Sequence, residues 1–263
     1  MVDTKKAQEL ISIYEKKAKA KYRLMCALID EPVIDMEIVK DKLNISPATV
    51  KALEADGIIN VKVESYYRNP VSDKHIFNKK VVLNEEQQRA VDTIVEDYDN
   101  RAFNTYLIRG VTGSGKTEVY LDVIEHTINS GRQVIMLIPE IALTFQTVQR
   151  FYHRFGDKVS IINSRMSKGE RYDQFVRALK GEISIMIGPR SALFTQFPNL
   201  GLIVIDEEHE GAYISEQVPR YHAKDLAIHI AKEAGASVIL GSATPSIDSY
   251  YRAEAGEYKL IEL

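Results

Sequence analysis

The 263 residues include a single cysteine, Cys26, and no apolar run near the ~20 residues that a membrane-spanning helix needs. One thiol builds neither a disulfide framework nor a zinc site made of cysteines. Positive charge is not in excess: 34 Lys and Arg stand against 37 Asp and Glu, a formal net charge of −3. That excludes a globally basic nucleic-acid binder. It leaves room for local basic tracks, on which affinity for phosphate depends. Internal repeats and low-complexity tracts are missing as well, and nothing at the N-terminus reads as a signal peptide. These absences predict a soluble, cytoplasmic protein with no membrane association. What is present is ordinary core material, 45% hydrophobic, enough for one large domain or a large one with a small one.

The most informative stretch is Gly110-Val111-Thr112-Gly113-Ser114-Gly115-Lys116-Thr117, in which four residues separate Gly110 from Gly115 and Lys-Thr follows. This is the phosphate-binding loop pattern. A β-branched and aromatic run, 105–109, precedes it, and a helical pattern from Glu118 to Asn129 follows. Strand, Gly-rich loop and helix together let successive backbone N–H groups surround a polyphosphate at a helix N-terminus. Gly113 and Gly115 allow backbone that a Cβ would obstruct. Lys116 is expected on the β- and γ-phosphates of ATP, and the Thr117 hydroxyl on Mg²⁺.

Ahead of this loop the chain is different in kind. A Lys-rich helix leads into the apolar run 24–29, a short helix pattern covers Met36 to Leu43, and Ser46-Pro47 reads as N-cap and first residue of a helix over 48–55. Gly57 ends that helix, and 58–64 alternates as a strand does. Helix, turn, helix and a β element read as a winged helix over 1–75, a module that docks on DNA or on protein. The boundary is expected near Tyr67–Asp73, where Pro70 and polar residues break the pattern.

Residues 76–263 alternate strand and helix. The runs 134–138, 159–162, 183–187, 202–205 and 237–240 are continuously apolar, as strands covered on both faces are. Helical segments fall between them at about 142–155, 169–179 and 223–233. The predicted fold is α/β, a parallel sheet with helices on both faces and its chemistry at the carboxyl ends of the strands. The run 202–205 delivers Asp206-Glu207-Glu208-His209, beside the phosphate loop if the two strands are neighbours. Asp206 is expected to hold Mg²⁺ and Glu207 to orient and help deprotonate the attacking water, which makes the reaction phosphoryl transfer to water. Gly241-Ser242-Ala243-Thr244-Pro245 follows the last run, with small hydroxyl residues suited to sensing the γ-phosphate.

In this order the three segments resemble the first, RecA-like motor lobe of superfamily 2 helicases. Six segments narrow the resemblance: 110–120, 134–144, Arg190-Ser-Ala-Leu-Phe194, Asp-Glu-Glu-His-Glu210, Pro219-Arg-Tyr-His-Ala-Lys-Asp225 and Gly-Ser-Ala-Thr-Pro-Ser246 look like the PriA family. These are primosomal DNA helicases that restart replication at abandoned forks. The resemblance implies ATP and Mg²⁺ as cofactors, with Gly110, Thr112, Gly113, Ser114, Gly115, Lys116 and Thr117 on the phosphates and Gln87 reading the adenine edge. It implies a DNA track of Pro139, Glu140, Thr144, Gly188, Arg190 and Ser191. It makes 211–222 an aromatic-rich loop in which Tyr213, Arg220, Tyr221 and His222 sense a single strand by stacking and phosphate contact. His209, Ser242 and Thr244 would couple that loop to hydrolysis.

Implied partners are single-stranded and fork DNA, other primosome proteins and single-stranded DNA-binding protein; the expected state is a monomer near the bacterial nucleoid. The sequence departs from the family at Ile214-Ser215, where Lys-Gln is expected, at Pro189, where Thr is usual, and at Asn163, where His is usual. The family's 3′-end-binding domain, zinc region and second lobe have no counterpart here. The expectation is therefore a fragment that binds ATP and DNA without full activity, its zinc lying elsewhere in the full-length family protein. Two alternatives stand beside it: another superfamily 2 DNA translocase, and a module that binds ATP and DNA without hydrolysing.

Overall fold

A computed structural model describes residues 14, 18–30, 39–40, 43, 45–61, 81–164 and 166–263. The chain divides into two compact units, Met1–Tyr66 and Tyr67–Leu263. In the first, α1 (Lys19–Asp30) and α2 (Pro47–Ala55) are described. Ser46 caps α2 by accepting from Thr49 N–H, and Pro47 takes the first helical turn, where its missing N–H costs nothing. Leu24, Val39, Ile45, Val50 and Leu53 form a small core. The helix pattern from Met36 to Leu43 falls mostly outside the described residues. The strand expected over 58–64 is not formed where it is described: Ile58 to Val61 is bend and irregular chain, and 62–64 lie outside the described residues. No β wing is formed among the described residues, and the linker expected at 67–73 lies outside them.

The second unit is a seven-stranded, all-parallel sheet. Its elements are α3 (Glu85–Asp99), β1 (Thr105–Arg109), α4 (Lys116–Asn129), β2 (Gln133–Leu137), α5 (Phe145–Phe155), β3 (Val159–Ile161), α6 (Lys168–Leu179), β4 (Ile185–Gly188), β5 (Leu200–Asp206), α7 (Ala223–Ala234), β8 (Ser237–Ser242), α8 (Ile247–Glu254) and β9 (Lys259–Glu262). Between β5 and α7 lies a minimal antiparallel pair, β6 (Ile214–Ser215) with β7 (Tyr221–His222). The strand order is β3-β4-β2-β5-β8-β1-β9.

Alternation along each strand explains why the runs had to be apolar throughout. Tyr106, Ile108, Val134, Met136, Leu202, Val204 and Ile239 face one core under α3, α4 and α5. Their neighbours Leu107, Ile135, Leu137, Ile203, Ile205, Val238 and Leu240 face the other, under α6, α7 and α8. Every residue of β2 and β8 is buried, so period 2 leaves no polar side to read. The helices start where side-chain oxygens can accept the orphan N–H groups: Asn84, Thr144, Ser167 and Ser246 cap α3, α5, α6 and α8.

One condition of the sequence reading is not met. The phosphate-loop strand β1 and the acidic strand β5 are not neighbours, because β8 runs between them and pairs with both. All three strands still point their carboxyl ends the same way, so β8 becomes part of the site.

Candidate nucleotide site

β1 ends at Arg109, and Gly110 N–H donates to the Ser242 carbonyl at 3.1 Å, tying the loop's first residue to the end of β8. Gly113 and Gly115 have φ of +86° and +90°, the left-handed region that a side chain resists. At Gly115 a Cβ would also sit 2.1 Å from Gln87 Nε2. Lys116 opens α4 with its ammonium folded into its own loop, donating to the carbonyls of Gly110 (2.6 Å) and Val111 (3.4 Å). The Ser114 hydroxyl is buried among these groups without a hydrogen-bond partner. A buried cation held by carbonyls and an orphaned hydroxyl, inside a ring of backbone, fit an anion.

Gln87 sits against this loop. Its Oε1 accepts from Asn84 N–H (2.9 Å), Asn84 Oδ1 accepts from Gln87 N–H (2.8 Å), and Gln87 Nε2 donates to the Ser114 carbonyl (2.8 Å). The helix cap of α3 and the phosphate loop are thereby one hydrogen-bonded unit. A cavity of about 460 Å³, lined by Leu83, Asn84, Glu85, Gln88 and Arg89, opens at the same helix end.

At the end of β5, burial and the neighbouring Glu207 carboxylate push Asp206 up to about 6, while Lys116 and the Tyr120 hydroxyl pull it down. Tyr120 is fully buried and donates to Asp206 Oδ1 at 3.3 Å. Burial pushes Tyr120 itself well above the usual phenol value, so it remains the donor. Glu207 has φ +49°, a conformation uncommon for a residue with a side chain and concentrated at functional sites. His209 Nδ1 lies 3.7 Å from Glu207 Oε2 and is paired with Ser242 Oγ at 2.8 Å. Ser242 Oγ in turn accepts from Thr244 N–H at 3.0 Å. So Glu207, His209, Ser242 and Thr244 make one chain of polar contacts from β5 to β8.

Glu208 behaves differently. It is buried, and its carboxylate accepts from Ser246 N–H (2.7 Å), Ser246 Oγ (3.1 Å) and Ser249 Oγ (2.9 Å). Lys224 Nζ stands 3.4 Å away, itself buried and bonded to Ser249 Oγ (2.8 Å) and to Asp248 (3.2 Å). This cluster pins β5, α7 and α8 together. Glu208 and Lys224 both fall in segments that carry the family resemblance, where nothing in the linear order pairs them. Their pairing spans 16 residues and depends on the fold.

Of the residues expected along DNA, Pro139, Gly188 and Ser191 lie just after or at the ends of β2 and β4, and Thr144 caps α5. At Gly188 a Cβ would meet the Ile162 carbonyl at 2.6 Å, so this glycine serves close packing. Arg190 donates through Nη1 to the carbonyls of Ala212 (2.9 Å) and Ile214 (2.7 Å), holding the 211–222 loop. Tyr221 packs edge-on to Phe194, centroids 5.4 Å apart; Arg220 is exposed and bonds back to the Glu216 carbonyl. His222 caps α7 by accepting from Lys224 N–H.

Tyr213 requires a correction. It was expected to stack on a base, but it is 1% exposed. Its hydroxyl donates to the carbonyls of Asp206 (2.7 Å) and Leu137 (3.2 Å). The ring is core, and it fastens the loop to the acidic strand.

Among the described residues no group of three or more His, Cys, Asp or Glu could hold a metal by itself. A cation that arrives with phosphate needs less: one or two side chains, with phosphate oxygens and water completing its shell. Thr117 in the first turn of α4 and Asp206 at the end of β5 fit that requirement.

Fold and site together define a nucleotide-binding lobe of the helicase type. A family model described as DEAD/DEAH box helicase matches residues 84–253, and the chain belongs to that family. More particularly, it is 44% identical over 242 residues to the replication restart protein PriA of Bacillus subtilis (strain 168), covering 90% of this chain and 30% of that protein. It is 41% identical over 238 residues to PriA of Haemophilus influenzae, covering 87% of this chain and 32% of that protein. Among solved structures it resembles RecG bound to a three-way DNA junction, with a TM-score of 0.53 and 25% identity, over 69% of this chain and 24% of that one. The chain thus spans about a third of the length of the curated relatives it matches. No helix among the described residues is long and apolar enough to cross a membrane.

Proposed function

We propose that this chain is the ATP-binding motor lobe of an ATP-dependent DNA helicase of replication restart, with the role of its PriA relatives. The observation that carries the reading is the convergence of three strand ends on one anion-fitting loop: Lys116 and Ser114 after β1, Asp206 and Glu207 after β5, Ser242 and Thr244 after β8. In that reading the backbone from Gly110 to Gly115 surrounds the polyphosphate, and Lys116 leaves its carbonyls for the β- and γ-phosphates. The free N–H of the Gln87 amide meets the adenine edge. Thr117 and Asp206 would hold a Mg²⁺ ion, which would supply positive charge to the phosphates. Glu207 orients the attacking water and takes its proton. His209 and Ser242 sense the state of Glu207 and pass it to the Thr244 turn.

The DNA track of Pro139, Glu140, Thr144, Gly188, Arg190 and Ser191, with Arg220, Tyr221 and His222, belongs to the same proposal. RecG's recorded binding to a DNA junction supports DNA as the partner class. Fork DNA, primosome proteins and single-stranded DNA-binding protein are proposed by kinship with PriA, as are a bacterial cytoplasmic, nucleoid-associated site and a winged-helix role for residues 1–75. The test is nucleotide titration of the wild-type chain, Lys116→Ala and Glu207→Gln, with phosphate release followed in parallel. Lys116→Ala should weaken ATP binding roughly 10- to 150-fold, the worth of charge-assisted hydrogen bonds. Glu207→Gln should keep binding and lose any phosphate release. Equal loss of binding in both variants overturns the assignment.

A further inference from the structure

We propose that Tyr120 is a positioning residue for Asp206, holding one carboxylate oxygen so that the other is presented to the cation that accompanies ATP. This rests on the reading of Asp206 as the residue that holds that cation. Tyr120 stands four residues after Lys116 on α4, on the same helix face. That helix packs over β2 and β5, so the side chain approaches the end of β5 from the helix-covered face of the sheet.

Beneath the Tyr120 hydroxyl lies Gly241, the residue in register with Ile108 on one side and Asp206 on the other. A Cβ at Gly241 would lie 1.6 Å from the Tyr120 hydroxyl oxygen and 2.7 Å from its ring carbon. The glycine of the Gly-Ser-Ala-Thr segment therefore leaves the space that the end of the Tyr120 ring and its hydroxyl occupy. Phosphate-loop helix, acidic strand and hydroxyl-rich turn meet at one O–H, donated to Asp206 Oδ1 at 3.3 Å.

Packing alone gives no reason for the hydroxyl. Tyr120 belongs to the apolar core on the α3, α4 and α5 side of the sheet, where phenylalanine would fill the space without burying a polar atom. A carboxylate is only an acceptor, so a fixed donor on Oδ1 selects its rotamer and commits the remaining lone pairs to the cation side. This is the support that ligand side chains receive from a surrounding shell of hydrogen bonds.

The experiment measures the affinity of the chain for a fluorescent ATP analogue with Mg²⁺ and with EDTA, and the Mn²⁺ affinity of the nucleotide-loaded chain by Mn²⁺ spin resonance. For Tyr120→Phe the affinity in EDTA should stay within about twofold of wild type. The gain conferred by Mg²⁺ should fall about 2- to 12-fold, the range for one hydrogen bond, and Mn²⁺ binding should weaken in step. Gly241→Ala, which keeps the hydroxyl but displaces it, should show the same selective loss, and it carries the test if Tyr120→Phe fails to fold. Asp206→Asn is the reference for complete loss of the metal-dependent gain. If Tyr120→Phe or its substitute retains the full gain while Asp206→Asn loses it, the positioning role is wrong and the metal assignment survives. If Asp206→Asn also retains it, both fall.

Discussion

Asp206 and Glu208 leave the same strand two residues apart and meet opposite circumstances. Glu208 is buried with Lys224 beside it and three hydrogen bonds from Ser246 and Ser249. Asp206 has one hydroxyl donor at 3.3 Å, the backbone N–H of Glu207 and the more distant charge of Lys116, yet burial and the adjoining Glu207 carboxylate still push it up to about 6. The first arrangement is a completed polar network, the kind that fixes how elements pack. The second is incomplete, and what it lacks, positive charge and oxygen ligands, is what a nucleotide with its cation brings. Saturation fits scaffold, and the deficiency at Asp206 is what supports placing the nucleotide's cation there.

The sharpest way to break this contrast is Glu208→Ala. It removes the buried partner of Lys224, leaving that ammonium to Asp248 and the serines, and takes an acceptor from both serines, so unfolding stability should fall by about 3 kcal/mol, the low end for a broken buried pair. Urea unfolding of the chain would read it, and a loss below about 1 kcal/mol would mean that the network is not a scaffold. Gly241→Ala should come next. Its methyl group meets the Tyr120 hydroxyl within a fully buried strand, and overpacking of this kind costs about 1–3 kcal/mol. Thermal melts of Gly241→Ala alone and with Tyr120→Phe separate clash from intrinsic propensity. The double variant should recover part of the loss.

How far the sequence speaks follows the same division. The residues proposed to face the nucleotide stand out in sequence because chemistry with phosphate restricts residue types at fixed spacing: Gly115, Lys116 and Thr117 form a pattern without any fold, and Asp206-Glu207 nearly so. β2, β4, β5 and β8 were legible because burial on both faces leaves an uninterrupted apolar run. The scaffold was not legible. Tyr213 looked like a stacking aromatic because composition does not reveal that its hydroxyl reaches two carbonyls inside the core. α8 spans only two turns and buries only Ser249 and Ala253, and no residue of the edge strand β9 is fully buried, so neither shows an uninterrupted apolar run. Nothing in the linear order said that β8 would run between β1 and β5. That insertion turns Gly241 from a turn residue into a gap.

Asp206→Asn sharpens the comparison from the deficient side, with the opposite sign. The folded chain raises this carboxyl from 3.8 to about 6, so the fold binds the proton more tightly than the unfolded chain does. Below about 3.8 both states are protonated and the ionised form costs nothing. As pH rises from there to 6 the penalty develops, and above 6 it is complete. Asn carries no such penalty, so without metal the variant should be more stable at pH 8. About 2 units at 1.36 kcal/mol each, discounted for partial exposure to solvent, leave about 1–2 kcal/mol. At pH 4 the difference should shrink toward zero. Melts at the two pH values check it; equal stability of Asp206→Asn and wild type at both would mean that Asp206 is not held at a disadvantage.

The smallest effect concerns Glu207, whose backbone sits at φ +49°. An L side chain there crowds the following carbonyl, a strain that glycine does not feel. Glu207→Gly therefore relieves the backbone and removes a charge beside Asp206, while Glu207→Ala removes the same charge and keeps the strain. The comparison that matters is Gly against Ala at this one position, because the electrostatic change is common to both. Glycine carries a larger chain entropy to be lost on folding, which works against it. Even so, positions with φ > 0 favour glycine by at least about 0.4–1 kcal/mol. Urea unfolding of the two variants at pH 8 should show Glu207→Gly the more stable by that amount, with phosphate release abolished in each. If Ala equals or exceeds Gly, the residue after Asp206 is not strained, and the deficiency at the end of β5 is electrostatic alone.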